Sequence, residues 1–217
     1  MTTLLQIDAS ARITRSLSRS LTAAFIEQWL KTRPNDTVIQ RDVGLNPPPA
    51  ISEAWIAAAF TPLEKRTPPQ QNVLRVSDEL LAELEPADLI VLGTPMYNYG
   101  MPSALKAWID QVIRIGRTFS FDLARGERPI EPILTGKTLV ILSSSGEGGF
   151  EADGVHAAMN HLDPHIVTAS KLFGVSEHHV IRIEYQEFGD QRHQKSIKAA
   201  HDNIPDLVQR LTQHVGC

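Results

Sequence analysis

The chain has 217 residues, 42% of them hydrophobic and 21% charged, a composition that suits a folded globular protein with a core of its own. A net charge of -4 and the lack of any long basic run argue against a nucleic-acid partner. The one cysteine, Cys217, excludes an internal disulfide framework and a multi-cysteine zinc site, and as the last residue it is expected to have no role.

Met1–Arg12 carries no apolar stretch of signal-peptide length. The strongest apolar runs, Leu89–Gly93 and Leu139–Leu142, are too short to span a bilayer. A cytoplasmic protein with no membrane partner is therefore expected.

Leu4–Ile7 is a short apolar run, followed by a polar stretch rich in Ser and Arg. Leu17, Leu21, Ala24, Phe25 and Trp29 then fall on one helical face, and Pro34-Asn35-Asp36 stops that helix. Thr37–Asp42 reads as a second strand. Val43–Pro69 is irregular and proline-rich, with a short apolar helix, Glu53–Phe60, inside it. A stretch of this kind within a compact chain is usually functional or disordered, and Trp55, Ile56 and Phe60 argue against disorder. Gln70–Glu85 is an amphipathic helix, and Asp88–Gly93 is a continuous apolar run, as in a central parallel strand covered on both faces. Pro102–Ile115 reads as a helix, Gly116–Thr135 as a second irregular insertion and Lys137–Leu142 as a fourth strand. Gly154–Phe173 reads mostly as helix, with Pro164 as an alternative start. His178–Glu184 is the fifth strand, and Asp190–His214 contains the last helix.

Strands that alternate with helices call for a doubly wound parallel sheet with helices on both faces. Five such units fit the flavodoxin-like strand order 2-1-3-4-5 in one domain over residues 1–217, with insertions at about 43–69 and 116–135. In such sheets ligands bind beyond the carboxyl ends of the strands, near the switch point. The loops after the first, third and fourth strands stand there.

The first loop, Asp8–Ser20, is rich in hydroxyls and opens a helix. A helix N-terminus offers free N–H groups and partial positive charge, which suit a phosphate, and Ser10, Ser16 and Ser18 add hydroxyls. The other reading is simple helix capping by Ser16 or Ser18. The loop contains no glycine, so it is neither a Walker loop nor a G-x-G-x-x-G turn. The second loop, Thr94–Ser103, puts two aromatics, an amide and a glycine after the most apolar strand. It can cover a flat ring, or it can be an ordinary turn whose aromatics pack inward. The third loop, Ser143–Gly149, is small enough for backbone to approach a flat ligand, or is a plain surface turn. His156, His161 and His165 follow it at spacings that make no tight metal site.

Taken together, Ser77–Glu83, Asp88–Asn98 with its Pro-Met-Tyr-Asn stretch, Lys106–Asp110, Gly116–Phe119 and Thr135–Lys137 resemble the FMN-dependent NADH-azoreductases, a flavodoxin-like family that includes quinone reductases. The resemblance runs along almost the whole chain. It implies a tightly bound FMN, with NADH or NADPH as the hydride donor. The phosphate would lie on Ser10, Ser16, Leu17 and Ser18, and the ribityl chain and ring along Met96, Tyr97, Asn98 and Tyr99. The pyrimidine end would lie on Ser144, Ser145, Gly146 and Glu147, with Glu147 expected to face solvent. Many relatives have Phe in place of Tyr99, and often Ser-Arg-Gly-Gly after the fourth strand. Gly148 and Gly149 could therefore replace Gly146 and Glu147 in that role.

The implied chemistry is two-electron reduction of small-molecule quinones or azo compounds in a ping-pong scheme, with no side chain needed as acid or base. The resemblance further implies a homodimer in which Phe60 or Phe121 helps wall the substrate cavity. Two other classes compete. A flavodoxin-like electron carrier would be shorter and markedly acidic, and a non-catalytic flavin-binding regulator is compatible with the fold alone.

Overall fold

The computed structural model describes residues 1–214, so Cys217 lies outside them. Along the chain it forms β1 (Thr3–Asp8), α1 (Leu17–Thr32), β2 (Thr37–Asp42), α2 (Glu53–Ala59), α3 (Pro68–Leu84), β3 (Leu89–Pro95) and α4 (Ser103–Val112). These are followed by β4 (Phe119–Phe121), β5 (Ile130–Pro132), β6 (Lys137–Ser144), α5 (Asp163–Ser170), β7 (Val175–Ile183) and α6 (Gln191–His214).

Five strands form one sheet in the order β2-β1-β3-β6-β7, and each neighbouring pair is parallel. Counting only these strands, this is the expected order 2-1-3-4-5. Parallel strands need crossovers, and the helices supply them on both faces. Every residue of β3 is buried, because β3 lies at the centre with helices on either side.

Side-chain alternation along the strands decides which layer each residue joins. Ile90, Leu92, Leu139 and Ile141 pack with Leu80 of α3, Trp108 of α4 and Ile166 of α5. Their neighbours Leu89, Val91, Val140 and Leu142 point the other way, onto Leu21, Phe25 and Trp29 of α1 and Ile204 and Leu207 of α6. Helix α2 packs on α3 through Trp55, Ala58, Ala59 and Leu74. Trp55 thus serves its own chain, and its indole N–H donates to Gln111 at 2.9 Å.

Some boundaries differ from the sequence reading. Helix α3 starts at Pro68, ahead of Gln70, because proline is well placed in a first helical turn and Thr67 with Gln70 forms a capping box. Gly154–Leu162 holds only one short 3-10 turn, Ala157–Met159, and α5 begins at Asp163, so Pro164 does mark the start. Strand β7 begins at Val175 rather than His178. Its polar first half lies at the edge of the sheet, where one side meets solvent, so no apolar run announces it. The insertion read as irregular over 116–135 holds an antiparallel pair, with Phe119 opposite Pro132 and Phe121 opposite Ile130. No helix among the described residues is long and apolar enough to cross a membrane.

Candidate functional site

A cavity of about 190 Å3 opens where the loops after β1, β3 and β6 converge. The first loop contributes Ser10, Ser16 and Leu17, the second Met96 and Tyr97, and the third Ser144, Ser145 and Gly146. Eight of the twelve expected cofactor residues therefore share one cavity. Ser18, Asn98, Tyr99 and Glu147 are not in its wall.

The first loop is shaped by a cation beneath it. The Arg19 guanidinium donates to the Ser10 carbonyl at 2.7 Å and the Arg12 carbonyl at 2.9 Å, and also pairs with Asp42 at 2.6 Å. Its hydrogen bond to Asp42 holds that carboxyl below the usual carboxylate range. Asp8 lies under the same loop, and burial raises its carboxyl above the usual range, against hydrogen bonds from Thr22 and Gln6. With two carbonyls drawn to Arg19, the hydroxyls are left for the cavity. Ser10 Oγ accepts the Arg12 N–H at 3.2 Å, so its own proton is free to donate. Ser16 is the N-cap of α1 and accepts the Arg19 N–H at 3.4 Å. Ser18 is fully buried, with its hydroxyl 3.5 Å from that of Ser16, so it supports Ser16 from behind. Both the capping and the phosphate readings of this loop are compatible with that geometry.

The second loop ends in a tight turn. Tyr97 N–H donates to the Gly100 carbonyl at 2.9 Å, and Gly100 N–H donates back at 3.0 Å. Asn98 (φ 48°) and Tyr99 (φ 64°) both occupy the left-handed region, as the two central residues of a hairpin-type turn do. Asparagine tolerates this, but a tyrosine there is strained, and such strain clusters at functional sites. Asn98 and Tyr99 are both exposed, and the Tyr99 ring lies 6.4 Å from that of Phe150. The Glu147 carboxylate beside the Tyr99 hydroxyl raises the phenol's pKa. Glu147 is half-buried and turned to Tyr99, where the sequence suggested a solvent-facing side chain.

The third loop is laced to the loop after β7. Gln186 N–H donates to the Ser145 carbonyl at 3.1 Å, Glu187 N–H to Gly146 at 3.0 Å and Tyr185 N–H to Glu147 at 3.2 Å. Gln186 and Glu187 also line the cavity. The Tyr185 ring covers Gly148, where a Cβ would stand only 2.3 Å from it. In this arrangement Gly146 faces the cavity, while Gly148 and Gly149 are buried outside its wall.

Reasoning from sequence missed Gln186 and Glu187, and Arg12 and Arg15 stand beside them. All four line the cavity. The rule that ligands gather at strand carboxyl ends could have found Gln186 and Glu187, because they follow the fifth sheet strand directly. Arg114 and Arg117 are paired with Asp78 at 2.6 and 3.3 Å, away from this cavity.

Phe60 lines a second cavity of about 480 Å3 between the two insertions, together with Leu63, Arg66, Arg114 and Arg117. Phe121 is 49% exposed and is in neither wall. Among the described residues, no three His, Cys, Asp or Glu side chains are grouped as a metal site.

A five-stranded parallel sheet in this order, with the cavity at its carboxyl edge, defines a flavodoxin-like protein, and the family described as having the flavodoxin-like fold matches residues 2–207. The chain is 53% identical to FMN-dependent NADH:quinone oxidoreductase 2 of Colwellia psychrerythraea over 97% of its own length and 100% of that protein's. It is 50% identical to the protein of the same name from Idiomarina loihiensis, covering 98% and 91%. The crystal structure of azoreductase from Bacillus anthracis superposes with a TM-score of 0.85 at 22% identity, over 97% of this chain and 100% of that one. The chain belongs to the flavodoxin-like family of FMN-dependent NADH:quinone oxidoreductases.

Proposed function

We propose that this protein is an FMN-dependent enzyme that uses NADH or NADPH to reduce quinones, and azo compounds as well, in a two-electron ping-pong cycle. One observation carries the reading. A single cavity joins a hydroxyl-rich helix N-terminus to Met96–Tyr97 and Ser144–Gly146, in a chain about half identical to proteins named for this activity.

The residues present fit FMN. The N-terminus of α1 and the Ser10 and Ser16 hydroxyls suit a phosphate, and Arg12 and Arg15 add positive charge at the rim. Met96 and Tyr97 lead from there to the exposed turn at Asn98 and Tyr99, where a flat ring can lie. When bound, FMN supplies the chemistry, taking two electrons from a reduced nicotinamide and passing them to the acceptor. The chain's own residues bind and orient. Ser18 and Arg19 hold the phosphate loop in shape, and the Tyr97–Gly100 turn presents Asn98 at the ring edge. The Gly146 and Glu147 N–H groups have no acceptor among the described residues, so they are free to donate to a bound cofactor. In this reading the whole chain is one FMN-binding domain, and 43–69 and 116–135 are insertions that border the site.

The purified protein is expected to carry one FMN per chain. Anaerobic NADH is expected to bleach its visible spectrum, and a benzoquinone to restore it at least as fast as a simple azo dye does. Released FAD in place of FMN, or a flavin that NADH leaves oxidised, would end the proposal.

The proposal includes a homodimer. Ile56, Phe60 and Leu63 in one insertion and Phe121, Leu123 and Ile133 in the other are exposed, and apolar side chains exposed in such number would gain from cover by a second copy. The cavity beside Phe60 shares no lining residue with the first, so Phe60 would wall a flavin site only from a partner copy. Light scattering at micromolar concentration is expected to give twice the mass of the 24.0 kDa chain. A fully active monomer excludes the dimer.

A further inference from the structure

We propose that Glu187 binds the ribityl chain of FMN by accepting hydrogen bonds from its hydroxyls. The inference rests on the FMN reading above and adds a fourth loop, the one after β7, to the cofactor site.

Glu187 is the one acidic side chain lining the 190 Å3 cavity, and it stands there with Ser10, Ser16, Met96 and Gly146. Its backbone is fixed, because its N–H donates to the Gly146 carbonyl at 3.0 Å and the preceding Gln186 N–H donates to Ser145 at 3.1 Å. Tyr185, two residues earlier, is held at φ 63°. The side chain lies directly across Gly146, where an added Cβ would come within 2.6 Å of Glu187 Cγ. Any larger residue at 146 would displace it. No cation among the described residues claims the carboxylate. The nearby Arg192 pairs with Asp190 at 2.7 Å and stacks on the Phe188 ring at 4.2 Å.

Size and charge decide which part of FMN meets this carboxylate. The cavity is smaller than the roughly 300–1,000 Å3 usual for ligand clefts, and the turn residues Asn98 and Tyr99 stand outside it. It therefore takes the narrow part of the cofactor, the polyol phosphate, and leaves the ring over the turn. The phosphate belongs with the hydroxyl loop and the two arginines, since a carboxylate repels it. An ionised carboxylate only accepts hydrogen bonds, and the groups of a polyol phosphate that donate them are the chain hydroxyls. Bonds to a charged acceptor are the stronger kind.

Three flavins separate the possibilities. FMN has ribityl and phosphate, riboflavin has ribityl alone and lumiflavin has neither. Their binding to apo-protein is read by quenching of flavin fluorescence. Glu187→Ala is expected to weaken FMN and riboflavin by a similar factor, roughly ten- to a hundredfold. Lumiflavin binding and the melting temperature of the apo-protein should stay unchanged, and Glu187→Gln should recover part of the loss. Unchanged or tighter FMN binding in Glu187→Ala overturns the proposal, as does an equal loss for lumiflavin. If the alanine variant does not fold, the isosteric Glu187→Gln carries the same comparison, with an equal partial loss for FMN and riboflavin expected and no loss overturning it. A wild-type protein that binds no FMN is a different result, because it defeats the cofactor reading itself.

Discussion

Replacing Gly44 with alanine is expected to lower FMN affinity at least tenfold and to destabilise the apo-protein by about 1–3 kcal/mol, the usual range for overpacking. Gly44 follows β2, and its N–H donates to the Asp8 carbonyl at 3.0 Å. Its missing side chain makes room for the loop after β1. A Cβ there would stand 2.1 Å from the Ser10 oxygen and 2.6 Å from the Ser10 carbonyl carbon. Both are backbone atoms, so no side-chain rotation relieves the contact. Either β2 shifts or Ser10 leaves the cavity wall. Gly100→Ala is the control for apo-protein stability, because a Cβ at Gly100 meets nothing within 4 Å. Thermal melting and flavin titration of both variants check the idea, which fails if Gly44→Ala binds FMN like the wild type.

Lys137→Met is expected to cost about 2 kcal/mol of stability. Lys137 begins β6 and is only 5% exposed. Its ammonium donates to the Ala87 carbonyl at 2.6 Å and the Glu85 carbonyl at 2.9 Å, where α3 ends and β3 is about to start. It acts as a cationic cap on a helix C-terminus. Methionine fills much of the same volume but leaves two acceptors without a donor, each costing about 1–3 kcal/mol, and relief from burying the charge offsets part of this. Burial also holds the Lys137 ammonium below the ordinary lysine value of 10.5. The folded state therefore binds this proton less readily than the unfolded chain does. Stability attributable to Lys137 should rise with pH, from the depressed pKa up to 10.5. Denaturant melts of wild type and Lys137→Met at neutral and alkaline pH test both statements. A wild type that loses stability relative to the variant over that range contradicts the linkage.

Much of this was legible in the chain. Hydrophobic periodicity located all five main strands and the long helices, because a strand covered on both faces leaves a continuous apolar run, as in β3, and an amphipathic helix leaves spaced apolar residues, as in α1. The order of elements then limited the topology, since parallel neighbours require right-handed crossovers. The same rule pointed to three carboxyl-end loops, and eight of the residues expected there meet in one cavity. The pattern failed at the edge. The first half of β7 is polar because one side of an edge strand faces water, and the β4–β5 pair is too short to show a period.

What only the tertiary structure decided concerns contacts between segments far apart in sequence. Arg19 reads as a surface residue of a helix until Asp42 and the Ser10 carbonyl are placed beside it. Gly44 reads as a loop glycine until Ser10 is stacked on it. Glu187 reads as a polar turn until its loop is laced to Ser145 and Gly146. Local sequence determined secondary structure, strand order and the loops that meet at the cavity, because those follow from short-range periodicity and chain connectivity. Which side chains line the cavity, and which hold its walls, depended on how closely β1, β2, β6 and β7 pack, and no local pattern encodes that distance.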